Sequence, residues 1–196
     1  MTASQSVPTP CRNHVHIFLF NGLDPLNASN LTGLCDYLHS LGYIKTHFGQ
    51  MYHYWEFKDD LIRIHEEDAQ ARFVVIGFSL GCNFANALCH AAEQQGITVD
   101  LLAFFSGTAL KNSDEYTPAN ALHIVNVLSR GRVLDGVQLD TCVNIKYEDV
   151  GHFGSPTHPQ SLRMLAEELA QVAARVSLIE PEPPPLRHDE EGPTPR

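Results

Sequence analysis

The chain is 196 residues long and 43% apolar, which suits one globular domain with a substantial core and leaves no room for two full catalytic domains. Its formal charge of −10, from 13 basic and 23 acidic residues, argues against general nucleic-acid binding, which relies on basic surface to neutralise phosphates. Cys11, Cys35, Cys82, Cys89 and Cys142 form no C-x-x-C pair and are odd in number, so neither a disulfide framework nor a zinc site is expected, and buried free thiols in a reducing cytoplasm are.

Residues 1–13 read as a flexible lead-in. The apolar run Val15 to Phe20 is too short for a signal segment or a membrane span, so a soluble cytoplasmic protein without a membrane partner is expected. His14 to Phe20 reads as a strand buried on both faces, broken by Asn21-Gly22-Leu23-Asp24-Pro25. Asn30 is placed to cap a helix carrying Leu31, Leu34, Cys35, Leu38 and Leu41 on one face, with Gly42 as its stop. Ile44 to Phe48 is a second strand. An aromatic cluster, Met51 to Phe57, leads into a helix over about Asp59 to Gln70; the cluster either packs on the core or lines a pocket at the strand's carboxyl end.

Phe73 to Gly77 forms the third strand, and an alanine-rich helix spans about Leu80 to Gln95. Leu101 to Phe105, Leu122 to Leu128 and Val143 to Tyr147 complete six strands, and a last helix over about Pro159 to Val176 carries a leucine and alanine stripe. Ser129 to Cys142 lacks a helical period, so that crossover is expected to be irregular. From residue 179 onward, prolines and acids without apolar residues read as a disordered tail, leaving 14–178 as the folded domain. Strands alternating with helices imply an α/β domain with a mostly parallel sheet.

The chemistry is expected at Gly77-Phe-Ser79-Leu-Gly81. A serine on a tight strand-to-helix turn projects its hydroxyl from the sheet top, and glycines two residues either side let the backbones approach. An alcohol is a weak nucleophile at neutral pH and needs a base within reach. His152, in the glycine-flanked loop after the last strand, is the best placed histidine. Attack on a carbonyl creates a negatively charged oxygen, for which the backbone N–H of Leu80, at a helix start, and that of Leu23, beyond Gly22, are the expected donors. His14-x-His16 has no third ligand or H-E-x-x-H pattern beside it, so no metal is expected, and the Gly77 to Gly81 stretch lacks the ending of a phosphate loop, so no cofactor is expected either.

The Asn21-Gly22 loop, the Gly77-Phe-Ser-Leu-Gly81 elbow and Gly151-His152-Phe153 together resemble a compact α/β-hydrolase, the fold of many esterases, lipases and thioesterases, over about residues 14–176. The resemblance implies a three-layer α/β fold with a six-stranded sheet in the order 2-1-3-4-5-6, and a serine hydrolase acting on a small-molecule ester or thioester through an acyl-enzyme. It also implies an acid after the fifth strand, between Ser79 and His152. That loop begins with glycine and arginines instead of a carboxylate, which leaves Asp135 as the nearest acid, Asp114 as its substitute, and a Ser-His dyad as the third arrangement. The missing early carboxylate also motivates a non-catalytic binding protein of this fold as an alternative; an acyltransferase that keeps the nucleophile but passes the acyl group to an acceptor other than water is a third.

Overall fold

The computed structural model describes residues 7–131 and 134–176. The tail expected from residue 179 onward lies outside the described residues, as do positions 1–6 of the lead-in. Residues 9–12 of that lead-in form a helical turn, α1 (Thr9–Arg12), which Cys11 anchors by burial against the core.

Six strands form one parallel sheet: β1 (Val15–Asn21), β2 (Thr46–Gln50), β3 (Arg72–Phe78), β4 (Leu101–Phe105), β5 (Ile124–Leu128) and β6 (Val143–Lys146). Their spatial order is β2-β1-β3-β4-β5-β6, as expected, with the serine-bearing strand third from one edge. Side chains alternate across a pleated strand, so each central strand feeds two cores. Ile17, Leu19, Val74, Ile76, Leu101 and Ala103 pack against α2 (Leu31–Ser40) and α5 (Pro159–Ala174) on one face. Phe18, Phe20, Phe73, Val75, Leu102 and Phe104 pack against α3 (Tyr54–Glu67) and α4 (Gly81–Gln94) on the other. Burial on both faces explains why these strands are unbroken apolar runs, and each fully buried Phe or Leu contributes about 1.5–3 kcal/mol.

Element ends differ from expectation: β2 lies at Thr46–Gln50 where Ile44 to Phe48 is expected, β5 begins at Ile124 and not at Leu122, and α3 ends at Glu67 and not near Gln70. The third helix begins at Tyr54, five residues before Asp59, because Phe57, Leu61 and Ile64 already lie on one buried helical stripe. The side chain that caps α2 is that of Asn27, whose Oδ1 accepts from the Leu31 N–H at 2.9 Å, whereas Asn30 makes no side-chain cap and stands at φ 53°. Between β5 and β6 the described residues hold no helix. Asn126 and Asn144 organise that crossover: Asn126 Nδ2 donates to the Val137 carbonyl and to Asn144 Oδ1, both at 2.8 Å, and Asn144 Oδ1 also accepts from the Leu139 N–H. Cys11, Cys35, Cys82 and Cys89 are buried free thiols, and burial pushes the Cys82 and Cys89 thiols far above their ordinary pKa, leaving them unreactive.

Candidate active site

Parallel strands point their carboxyl ends to one edge of the sheet, so the loops after β1, β3, β4, β5 and β6 converge there. Ser79 is the first residue beyond β3 and has φ 55°, a left-handed conformation that costs a non-glycine residue roughly 1 kcal/mol or more. Backbone hydrogen bonds hold it: its N–H donates to the Phe105 carbonyl at 3.0 Å, and its carbonyl accepts from the Cys82 N–H at 3.1 Å. The flanking glycines are sterically required. A Cβ on Gly77 would fall 2.5 Å from Cys82 Cα, and one on Gly81 would overlap the Phe20 carbonyl oxygen.

The loop after β1 presses on this turn. A Cβ on Gly22 would sit 2.8 Å from the Phe78 carbonyl oxygen and 2.9 Å from the Leu80 nitrogen. Only glycine lets the Asn21-Gly22-Leu23 backbone lie this close to Ser79 and Leu80. Among the described residues the N–H groups of Leu23 and Leu80 donate to no acceptor. The Asn21 side chain braces the loop from inside, its Nδ2 donating to the Asp24 carbonyl at 3.3 Å.

His152 opens a 3₁₀ turn (His152–Gly154) and its ring packs on Phe78, the residue before Ser79, with centroids 4.9 Å apart. Its Nδ1 donates to the Leu134 carbonyl oxygen at 2.6 Å. The loop after β5 therefore reaches the histidine, but with a backbone carbonyl where the resemblance calls for a carboxylate. Asp135 is one residue too far along: its own carbonyl accepts the Ser129 N–H at 2.8 Å, and its carboxylate makes no hydrogen bond among the described residues. Asp114 lies in a short 3₁₀ turn of the β4–β5 loop, and among the described residues it makes no hydrogen bond or ion pair with His152. Glu148 pairs with Lys146 and Asp149 with His158.

The carboxylate whose charge acts on His152 is Asp24, from the β1 loop. It is 4% exposed. Burial opposes its ionisation, but hydrogen bonds from Ser29 Oγ and from the Ser29 and Ala28 N–H groups outweigh that cost and hold its carboxyl below the ordinary range. Burial lowers the His152 pKa from its ordinary value, while the Leu134 hydrogen bond and the Asp24 charge pull the other way.

Sequence reasoning missed a further support. Ser106, buried and at φ 47°, directly follows the Phe105 carbonyl that holds Ser79. Its hydroxyl meets that of Ser155 at 2.8 Å, and Ser155 Oγ donates to the His152 carbonyl at 3.0 Å. The Ser155 carbonyl in turn accepts from Ser161 Oγ at 2.6 Å, and Ser161 Oγ meets Tyr147 Oη at 3.0 Å. A buried hydroxyl chain thus ties the serine turn to the histidine turn. Nothing in the spacing of four isolated hydroxyl residues announces it.

His14 and His16, considered above as metal ligands, lie toward the opposite end of the sheet. His14 Nδ1 meets Asp68 Oδ2 at 2.7 Å and His16 Nε2 meets Lys45 Nζ at 3.3 Å. Among the described residues no group of three His, Cys, Asp or Glu side chains is placed to hold a metal ion, and no helix is long and apolar enough to cross a membrane.

No family model and no curated protein matches the sequence. Solved structures do match the fold. The crystal structure of a predicted CIB-like hydrolase from Thermoplasma acidophilum superposes with a TM-score of 0.56 at 14% identity, over 81% of this chain and 87% of that one. A hyperthermophilic esterase from the archaeon Pyrobaculum calidifontis superposes with a TM-score of 0.50 at 10% identity, over 82% of this chain and 75% of that one. Strand order, flanking helices and these superpositions define an α/β-hydrolase-like fold.

Proposed function

We propose that the protein is a serine hydrolase that cleaves a small-molecule carboxylic ester or thioester through an acyl-enzyme. The observation that carries this reading is the left-handed Ser79 between β3 and α4, with Gly22 pressed against it and two backbone N–H groups free of acceptors beside it. Ser79 Oγ attacks the substrate carbonyl. His152 takes the hydroxyl proton: with Nδ1–H committed to the Leu134 carbonyl, the neutral ring keeps its lone pair on Nε2 and is set as a base. The Leu80 and Leu23 N–H groups hold the oxyanion. The alcohol or thiol leaves with the proton from Nε2, and water activated by the same nitrogen releases the acid.

A carbonyl oxygen fixes the tautomer of His152 as a triad carboxylate does, yet brings only a dipole toward the imidazolium formed in the transition state. The buried Asp24 carboxylate in the β1 loop favours the imidazolium through space, as a smaller effect than the Leu134 hydrogen bond. This reading makes the unit a Ser79-His152 dyad with a remote counter-charge, in place of the triad completed by Asp135. The same observation favours the second reading, a binding protein of this fold without turnover, since a triad whose acid is lost runs roughly ten-thousandfold slower.

A fluorophosphonate probe separates the two. The folded wild-type protein should label and Ser79→Ala should not; a wild-type protein that stays unlabelled eliminates the hydrolase. With a chromogenic ester, His152→Gln should lower kcat by about a hundredfold or more.

A further inference from the structure

A cleft of about 640 Å³ opens between α3, α4 and the loop after β4, one helical turn beyond the serine. Asn83 forms its inner wall and connects it to the elbow: its Nδ2 donates to the carbonyls of Leu80 at 3.4 Å and Thr108 at 2.8 Å, and the Thr108 N–H donates to the Ser79 carbonyl at 3.4 Å. Three features of its lining point to one kind of ligand.

The first is charge. Lys58, from α3, and Lys111, from the loop after β4, line the cleft, and neither has an ion pair among the described residues, whereas Lys146 pairs with Glu148. Glu115 also lines the cleft, so the formal balance there is positive within a chain of net charge −10. His90, on the same wall, is already committed: Nδ1 faces Glu93 Oε2 at 3.2 Å and Nε2 faces the Tyr116 carbonyl at 3.0 Å.

The second is a flat apolar face. Trp55 is 68% exposed, is packed edge to face on Tyr54 with centroids 5.0 Å apart, and has Lys58 Nζ 5.6 Å from its ring centroid. An exposed indole with a lysine over its ring brings an aromatic face and a mobile cation together, the cation able to swing off the face when a ligand stacks there. The third is a buried acceptor. Asn86 is 3% exposed, and its Nδ2 is spent on the Tyr116 carbonyl at 3.1 Å. Its Oδ1 accepts no hydrogen bond from the described residues and is not sealed from solvent, so it opens onto the cleft it lines.

We propose that this cleft binds a phosphorylated, amino-substituted heteroaromatic group, as in an adenine nucleotide, and that this group is the distal end of the substrate presented to Ser79. The ring stacks on Trp55, an exocyclic amine donates to Asn86 Oδ1, and Lys58 and Lys111 take the phosphates. The second half of the proposal rests on the hydrolase reading; the first does not.

Trp55 is the one tryptophan of the chain, which provides a direct readout. ADP titrated into the Ser79→Ala protein should quench its fluorescence saturably, with adenosine and inorganic phosphate each at least tenfold weaker. Lys58→Met and Lys111→Met should each weaken ADP binding about tenfold. Equal binding of adenosine and ADP, undiminished binding in both lysine variants, or no fluorescence change at millimolar ADP would overturn the site. In wild-type protein, kcat/KM for an acyl thioester bearing a phosphoadenosine tail should exceed that for the same acyl group on plain pantetheine by at least tenfold, and Lys111→Met should remove the preference. ADP binding with equal rates on the two thioesters overturns the substrate assignment alone; ADP binding with no turnover of either thioester overturns the hydrolase reading and with it that assignment, and leaves the nucleotide site standing.

Discussion

Ser79, Gly22, Gly77 and Gly81 form the tightest backbone packing around the proposed site, and their substitutions have opposite signatures. A methyl at Gly77 meets the Cys82 backbone, which belongs to a helix that cannot shift alone, so Gly77→Ala should cost about 3 kcal/mol in chemical denaturation. Ser79→Ala removes no buried contact and should leave stability within about 0.5 kcal/mol. At His152 two carboxylates are distinguished by the pH dependence of kcat/KM. Burial already lowers its pKa, so the acid limb should fall below the ordinary histidine range, and the Asp24 charge favours the imidazolium. Asp24→Asn should therefore move the acid limb to lower pH, whereas Asp135→Asn should leave it in place; a shift only in the Asp135 variant would restore the triad. Ser155→Ala breaks the link from Ser106 to the His152 carbonyl, and it should lower kcat with little change in KM.

At the scale of elements, the cores of the helices and strands were legible from periodicity, and their ends were not. Leu31, Leu34 and Leu38 define α2, but Asn30, the asparagine adjacent in sequence, makes no side-chain cap. Asn27 reaches the first turn instead because both it and Asn30 adopt left-handed backbone and fold the loop back. Asn27→Ala should cost about 1 kcal/mol, read from denaturation midpoints, while Asn30→Gly should be neutral within about 0.5 kcal/mol because glycine accepts φ 53° without strain. The β5–β6 crossover shows the complementary limit. Its lack of helical period was visible, but the fact that its turn delivers the Leu134 carbonyl, and not the Asp135 carboxylate, to His152 depends on which backbone groups pair across it.

For the molecule as a whole, the two ends of the sheet carry different electrostatics. Toward the end opposite Ser79, His16 is 5% exposed, stacked near His47 with centroids 6.1 Å apart, and accepts a hydrogen bond from Lys45 through Nε2. Burial, with the Lys45 charge second, lowers its pKa from 6.5 to about 4. Between these values the unfolded chain binds a proton that the native state refuses, so stability is full above pH 6.5 and falls on acidification, by up to about 1.4 kcal/mol per pH unit. Urea denaturation at pH 7 and pH 5 should differ by about 2 kcal/mol from this residue, and His16→Phe should flatten that dependence.

By itself the sequence determined six strands and the apolar faces of the four helices that cover them, only as far as local periodicity reaches: two-sided apolar runs read as central parallel strands, and the 3.6-residue stripes read as covering helices. It determined Gly77-Phe-Ser79-Leu-Gly81 as a strand-to-helix turn because the glycines meet a steric need of the turn itself. The tertiary structure alone decided what stands around His152, namely the Leu134 carbonyl, the Asp24 charge and the Ser106–Ser155 link. It also gathered Trp55, Asn86 and Lys111 into one cleft. These groups come from the loops and helices that follow different strands, and only formation of the sheet brings residues so far apart in the chain to one edge.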